Sequence, residues 1–209
     1  MSSTATQVVT DDRKPLPLGR IGFDAFLAWA DEDTHAEWVD GEVIMASPAS
    51  AEHQQIALFL VRVLAEYLDE RPLGQVFVAP FTMRLGTRPS AREPDLLVLL
   101  NEHNDRLKAT YLDGPADIVI EIISPESDSR DRGEKFVEYE AGAVREYWLI
   151  DPVRRAATFY QLDAEQRYQA IPLQDGVYRS AALTGFWFRV DWLWDRPRVR
   201  AVIKELGLP

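Results

Sequence analysis

The sequence predicts an α/β fold, with a central mixed β-sheet flanked by helices and a C-terminal β-meander. Ile56, Leu60, Val63, Leu64, Tyr67 and Leu68 recur at helical spacing and mark the apolar stripe of a long helix. Leu96–Leu100 and Ile118–Ile123 are continuous runs of leucine and β-branched residues, the pattern of strands covered on both faces. A helical segment and another strand follow the second run, an order that belongs to α/β architectures. With 209 residues, 46% hydrophobic and 27% charged, the chain can bury one substantial core, so a single domain over residues 21–209 is expected.

Residues 1–20 are polar, contain Pro15 and Pro17, and read as a flexible N-terminal arm. Phe23, Phe26, Leu27 and Ala30 then fall on one face of a short helix. Ala36–Val39 and Glu42–Met45 flank Asp40-Gly41, the dipeptide that best supplies the positive φ angles of a tight hairpin. Ser50 is placed to cap the long helix, which Arg71-Pro72-Leu73-Gly74 ends. Short strands are expected at Gln75–Ala79 and Thr82–Leu85 around Pro80, and a helical piece at Leu107–Leu112. A charged loop after Ser124-Pro125 leads into a helix over Arg132–Ala143, followed by a strand at Arg145–Ile150 stopped by Asp151-Pro152. Thr158–Tyr160, Tyr168–Ile171 and the turn Asp175-Gly176 form the meander, at whose end Trp187, Trp192 and Trp194 crowd together. These tryptophans read as core or as a subunit interface, and a homodimer is expected on the second reading.

Composition narrows the function. There is no cysteine, which removes disulfides, thiolate zinc sites and cysteine nucleophiles together. No apolar run approaches a membrane span, and the N-terminus lacks a charged flank followed by an apolar signal core, so a cytoplasmic protein without membrane contact is expected. The net charge of −11 has the wrong sign for a broad nucleic-acid-binding surface. A local strip remains open, because Arg84, Arg88, Arg92, Arg130, Arg132 and Lys135 flank the two apolar strands; the alternative is that they are ordinary solvated charges.

Asp95 opens the first apolar run and Glu121 sits inside the second. A carboxylate in a sheet core is costly unless it is paired, hydrogen-bonded or bound to a metal. The pair therefore reads either as a site or as structural ion pairs with Arg92 or Lys135. Glu37, beside the hairpin turn, reads as an extra acidic group of that site or as a cross-strand partner. His53 reads as a structural or capping residue, and His35, His53 and His103 lack the close spacing of a zinc site.

Ala36-Glu37-Trp38-Val39-Asp40-Gly41-Glu42, Ser47-Pro48 with His53, Glu93-Pro94-Asp95, Glu121-Ile122-Ile123-Ser124-Pro125, Asp131-Arg132-Gly133-Glu134-Lys135 with Tyr139, and Glu146 to Pro152 together resemble the Uma-two endonuclease family, over about residues 20–195. The resemblance implies a restriction-endonuclease-like core, whose signature is Pro-Asp on one strand and Asp or Glu, any residue, then Lys on the next. Pro94-Asp95 and Glu121 match it, whereas Ile123 stands where the lysine belongs. The resemblance implies that Lys135, in the following helix, replaces it. It further implies Mg2+ or Mn2+ held by Asp95, Glu121 and the Ile122 carbonyl, with DNA as the substrate. The rival is a non-catalytic binding or assembly module that keeps the fold, favoured by the missing strand lysine and the acidic charge.

Overall fold

The computed structural model describes residues 14–31 and 33–209. The first 13 residues of the expected arm lie outside the described residues. Just after them, Lys14 pairs with Asp31 at 2.8 Å and the Trp29 indole donates to the Pro15 carbonyl at 3.1 Å. Helix α1 (Phe23–Trp29) buries Phe23 and Phe26 against the hairpin β1 (Ala36–Val39) and β2 (Glu42–Met45). Asp40 and Gly41 take φ of 50° and 89°, as the turn requires, and a Cβ on Gly41 would stand 2.9 Å from the Arg20 Cβ.

Ser50 caps α2 (Ala51–Glu70) by accepting from the His53 backbone N–H at 3.1 Å. Strands β3 (Gly74–Val78), β4 (Thr82–Leu85), β5 (Ser90–Arg92) and β6 (Leu96–Leu100) follow, then a 3-10 helix (Asn101–Arg106), β7 (Tyr111–Asp113) and β8 (Ile118–Ile122). Helices α3 (Asp128–Arg132) and α4 (Glu134–Ala141) lead to β9 (Glu146–Asp151), β10 (Ala156–Leu162) and β11 (Tyr168–Ala170). The chain ends in β12 (Val177–Arg179), β13 (Trp187–Arg189), α5 (Trp192–Asp195) and α6 (Val199–Glu205).

The main sheet has the order β11-β10-β9-β8-β6-β3 and is mixed, with β8 and β9 parallel and its other neighbours antiparallel. A parallel pair needs a crossover, and α3 and α4 supply it. Leu96, Val98, Leu100, Ile118 and Ile120 pack on one face with α2, while Leu97, Leu99 and Val119 pack on the other with Tyr139 of α4. Both faces of β6 and β8 are therefore covered, as their continuous apolar runs predict. A second sheet, β2-β1-β5-β4-β7, carries the hairpin.

Several expectations need correction. Leu107–Leu112 is not helical: Leu107 and Leu112 face each other across a tight turn, and pairing of β7 with β4 draws Leu112 fully into the core. The helix expected over Arg132–Ala143 is broken at Gly133 (φ −115°, ψ −89°) into α3 and α4. Strand β5 is too short and polar to stand out, and its identity comes from pairing with β1 and β4. β10 and β11 continue the sheet from β9, whereas β12 and β13 form a separate hairpin followed by helices that the sequence pattern does not reveal. In the C-terminal tryptophan cluster Trp192 is buried and Trp187 and Trp194 are half-buried, with Trp187 packing on Trp192 at 5.3 Å between ring centres.

Glu146, at the start of β9, joins the C-terminal hairpin to the main sheet. Its buried carboxylate accepts from Trp148 Nε1, Tyr178 Oη, Ser180 Oγ and the backbone N–H groups of Ala181 and Ala182, at 2.6 to 2.9 Å. Glu146→Ala strands these donors in a dry interior, so a loss of about 3–5 kcal/mol is expected, roughly 6–20 °C in Tm for a domain of this size. Thermal unfolding followed by near-ultraviolet circular dichroism reads this, and a change under 2 °C would contradict it.

Candidate active site

Side chains alternate faces along a strand, so Asp95, Leu97 and Leu99 point one way and Val119 and Glu121 meet them from the next strand. Leu96 faces Ile120 in the β6–β8 register, and extending that register by one residue sets Asp95 opposite Glu121. The Ile122 N–H donates to Asp95 Oδ2 at 2.7 Å, which ties the Asp95 carboxylate to the end of β8. Asp95, Glu121, Ile122, Glu37 and Lys135 all line one cleft of about 460 Å³. The structure thus brings together the candidate catalytic and metal-holding residues, whereas of the flanking arginines only Arg130 lines the cleft.

Lys135 is not a solvated helix lysine. Only 5% exposed, its Nζ lies 2.9 Å from Glu121, 2.8 Å from Glu37 and 3.4 Å from Asp131. Tyr139, one turn further along α4, donates its hydroxyl to Glu121 Oε1 at 2.7 Å. Arg92, wholly buried, continues the network: it contacts Glu37 at 2.9 Å and forks onto both oxygens of Glu138 at 2.8 and 2.7 Å. Arg92 therefore holds Glu37 and Glu138, not Glu121. Arg84 and Arg132 are taken by Asp113 and Asp128, and none of these four residues lines the cleft.

Burial pushes the Lys135 ammonium down, but Glu121, Glu37 and Asp131 outweigh it and keep the group charged well above its ordinary range. Burial likewise raises Glu37, yet Lys135 and Arg92 together pull it to about 2. Glu121 is held well above the usual carboxylate range by burial, which Lys135 only partly offsets against the like charges of Asp131, Asp95 and Glu37. Burial acts to lower His53; its hydrogen bond to Asp95 and the Asp95 charge win, so the imidazole titrates above its ordinary value. Four carboxyl groups, Glu37, Glu93, Asp95 and Glu121, line the cleft against two permanent cations, Arg130 and Lys135.

Some site residues escape a reading from sequence. The capping reading of His53 covers only its backbone, because its Nε2 sits 3.1 Å from Asp95 Oδ2, and its Nδ1 is buried without a partner. Asp131 reaches Lys135 at i,i+4 spacing, a signal that the sequence offers, though one shared by many exposed helix pairs. Glu93 accepts from the Ala36 N–H at 3.2 Å and meets His35 at 3.2 Å, contacts set by tertiary pairing of the two sheets. Arg130, by contrast, belongs to the basic strip noted in the sequence; it lines the cleft with its Nε buried and unpartnered.

A second group of possible ligands, Glu102, His103 and Asp117, stands at the opposite end of β8 with ligand atoms within 4.8 Å of one another. There Arg145 already supplies a cation, 3.1 Å from Glu102 and 3.3 Å from Asp117, and the Leu100 N–H satisfies Asp117 at 2.7 Å.

A mixed sheet with paired carboxylates at one end and a crossover helix returning a lysine to them defines a restriction-endonuclease-like protein. Residues 23–191 match the family model Uma2, described as "putative restriction endonuclease", and the chain belongs to that family. An uncharacterized protein of Synechocystis sp., sll1609, is 25% identical over 138 residues, covering 64% of this chain and 75% of that protein. A crystal structure from Anabaena variabilis, described as a putative nuclease belonging to DUF820, superposes with a TM-score of 0.71 at 18% identity, over 84% of this chain and 98% of that one. At that identity the likeness establishes the fold. Among the described residues no helix is long and apolar enough to cross a membrane.

The shifted carboxyls make stability depend on pH in opposite senses. Burial holds Glu93 at about 7 against an ordinary 4.5, so between these values the folded chain binds more protons and stability falls as pH rises. Glu37, at about 2 against 4.5, loses its stabilising ionisation as pH falls through that interval. Glu93→Gln is expected to match wild type near pH 4 and exceed it by about 3 kcal/mol at pH 8, whereas Glu37→Gln costs a similar amount at pH 7 and converges with wild type toward pH 2. Urea unfolding across pH in chelator reads both, and a Glu93→Gln effect independent of pH would contradict the assignment.

Proposed function

We propose that this protein is a divalent-metal-dependent nuclease that hydrolyses phosphodiester bonds of DNA at the cleft between Asp95 and Glu121. One observation carries the reading. Each carboxylate commits one oxygen to the protein, Asp95 Oδ2 to Ile122 and His53 and Glu121 Oε1 to Lys135 and Tyr139, while Asp95 Oδ1 and Glu121 Oε2 have no hydrogen-bond partner among the described residues. Two spare carboxylate oxygens on facing strands, in a site with excess negative charge, fit Mg2+ or Mn2+, which prefer oxygen ligands and retain several waters. The Ile122 carbonyl is the candidate backbone ligand.

Such an ion supplies Lewis-acid polarisation of the phosphoryl oxygen and a bound water of lowered pKa. The chain's own residues do the rest. Lys135, replacing the absent strand lysine, keeps a permanent positive charge beside Glu121 to orient the attacking water and offset charge on the transition-state phosphorane. Tyr139 positions Glu121, and Glu37 holds Lys135 as a second carboxylate partner at 2.8 Å. Arg130, the cleft guanidinium without a carboxylate partner, meets the substrate phosphate. His53 braces Asp95.

Manganese titration by calorimetry beside cleavage of plasmid and single-stranded DNA tests this. Asp95→Asn is expected to weaken manganese at least tenfold and abolish cleavage. Lys135→Ala leaves Glu121 and Asp131 without a cation, Glu37 keeping Arg92, and costs about 3–5 kcal/mol, so Lys135→Arg, which preserves the charge, is the informative variant: it should bind manganese yet cut about 10²–10⁴-fold more slowly. Unchanged manganese affinity in Asp95→Asn would remove the site. A wild type that binds manganese but cuts no substrate would favour the non-catalytic binding module.

A further inference from the structure

We infer that an arginine-lined groove between α2 and the α5–α6 junction is a track for the phosphodiester backbone of the nucleic-acid strand leaving the cleft. This rests on the nuclease reading above and identifies where that substrate continues beyond the reacting bond. The groove has a volume of about 520 Å³ and is lined by Arg62, Arg196, Arg198 and Arg200, with Gln55 and Leu58 along its helical wall.

Four guanidinia in one groove stand out in a chain of net charge −11. Several arginines elsewhere are consumed by carboxylates: Arg84, Arg88, Arg92, Arg132, Arg145 and Arg154 all form ion pairs. In the groove only Arg196 does so, at 2.6 Å from Glu52, while the exposed Arg62, Arg198 and Arg200 form no ion pair among the described residues. Their placement is rigid. Val199, Val202 and Ile203 of α6 are buried in the same core as α2, so the backbone carrying the arginines is anchored on the helix that carries Arg62.

Helix α2 also connects this groove to the chemistry. Gln54 lines the catalytic cleft and the next residue, Gln55, lines the groove. From Gln55 to Arg62 the helix advances about 10 Å at 1.5 Å per residue, the axial span of about three phosphates along one strand of a duplex. A strand passing the N-terminus of α2 thus meets positive charge where the acidic protein would otherwise repel it. Base edges play no part, so the groove adds affinity and register without sequence preference.

The test is fluorescence anisotropy of a labelled 20-base-pair DNA duplex, with Ca2+ present to occupy the site, titrated with salt. Wild type is compared with Arg62→Gln/Arg198→Gln/Arg200→Gln and with a control, Arg179→Gln/Arg189→Gln, which removes exposed arginines from the β12–β13 hairpin. The groove variant should bind at least tenfold more weakly at low salt. Its slope of log affinity against log salt should fall by about 0.9 for every phosphate that the variant no longer neutralises, nearly three in all. The control should change affinity less than twofold, and both variants should hydrolyse bis(4-nitrophenyl) phosphate, too short to reach the groove, at the wild-type rate. If the triple variant folds poorly, Arg62→Gln and Arg200→Gln singly should each lower the slope by about 0.9. An unchanged slope in the groove variants, an equal loss in the control, or a wild type that binds no duplex would overturn the inference. Binding that needs the groove without any cleavage would instead retain it and remove the nuclease reading, whereas cleavage with an unchanged slope would remove the groove alone.

Discussion

An ammonium buried among three carboxylates is the constraint on which the site depends. Lys135 joins Glu37 of the hairpin sheet, Glu121 of the main sheet and Asp131 of the crossover, so one charge fastens together elements that come from distant parts of the chain. Such a cluster is expensive to desolvate and is tolerated only when its members are paired. Arg92 extends it to α4 by taking the second oxygen of Glu37 and both oxygens of Glu138. Removing either cation would leave carboxylates stranded, which sets the geometry of the cleft floor rigidly before any ligand arrives.

The same network brings a lysine to Glu121 although none stands on its strand. Ile123 continues the apolar core where the superfamily signature has its lysine, and Gly133 breaks the crossover helix so that α4 begins anew with Lys135 and Tyr139 one turn apart. Both side chains then come back to Glu121 Oε1. The opposite oxygen of Glu121 stays clear of the protein. Local charge within the cleft, and not the net charge of the chain, governs what can bind there, since Coulombic effects between exposed charges are screened beyond about 10 Å at 0.1 M salt.

Much of this was legible in the sequence for definite reasons. The continuous runs of β6 and β8 announced strands buried on both faces, and a carboxylate in each marked a candidate site, because charge in an apolar sheet must be paired, hydrogen-bonded or bound to an ion. Asp40-Gly41 and the Ser50 cap located their elements because local backbone chemistry decides them. What escaped depends on tertiary contact. Strand β5 exists through its neighbours, Leu112 turns inward through pairing of β7 with β4, and His53 owes its place in the cleft to the packing of α2 on the sheet. The Lys135–Glu37 pair spans nearly a hundred residues, so spacing alone left Glu37 open between two roles.

The position of a bound ion tests the central claim most directly. Crystals soaked in manganese should show an anomalous difference peak at about 2.2 Å from both Asp95 Oδ1 and Glu121 Oε2, with Lys135 still on Glu121 Oε1. A peak only at Glu102, His103 and Asp117, or none in the cleft at saturating manganese, would contradict it.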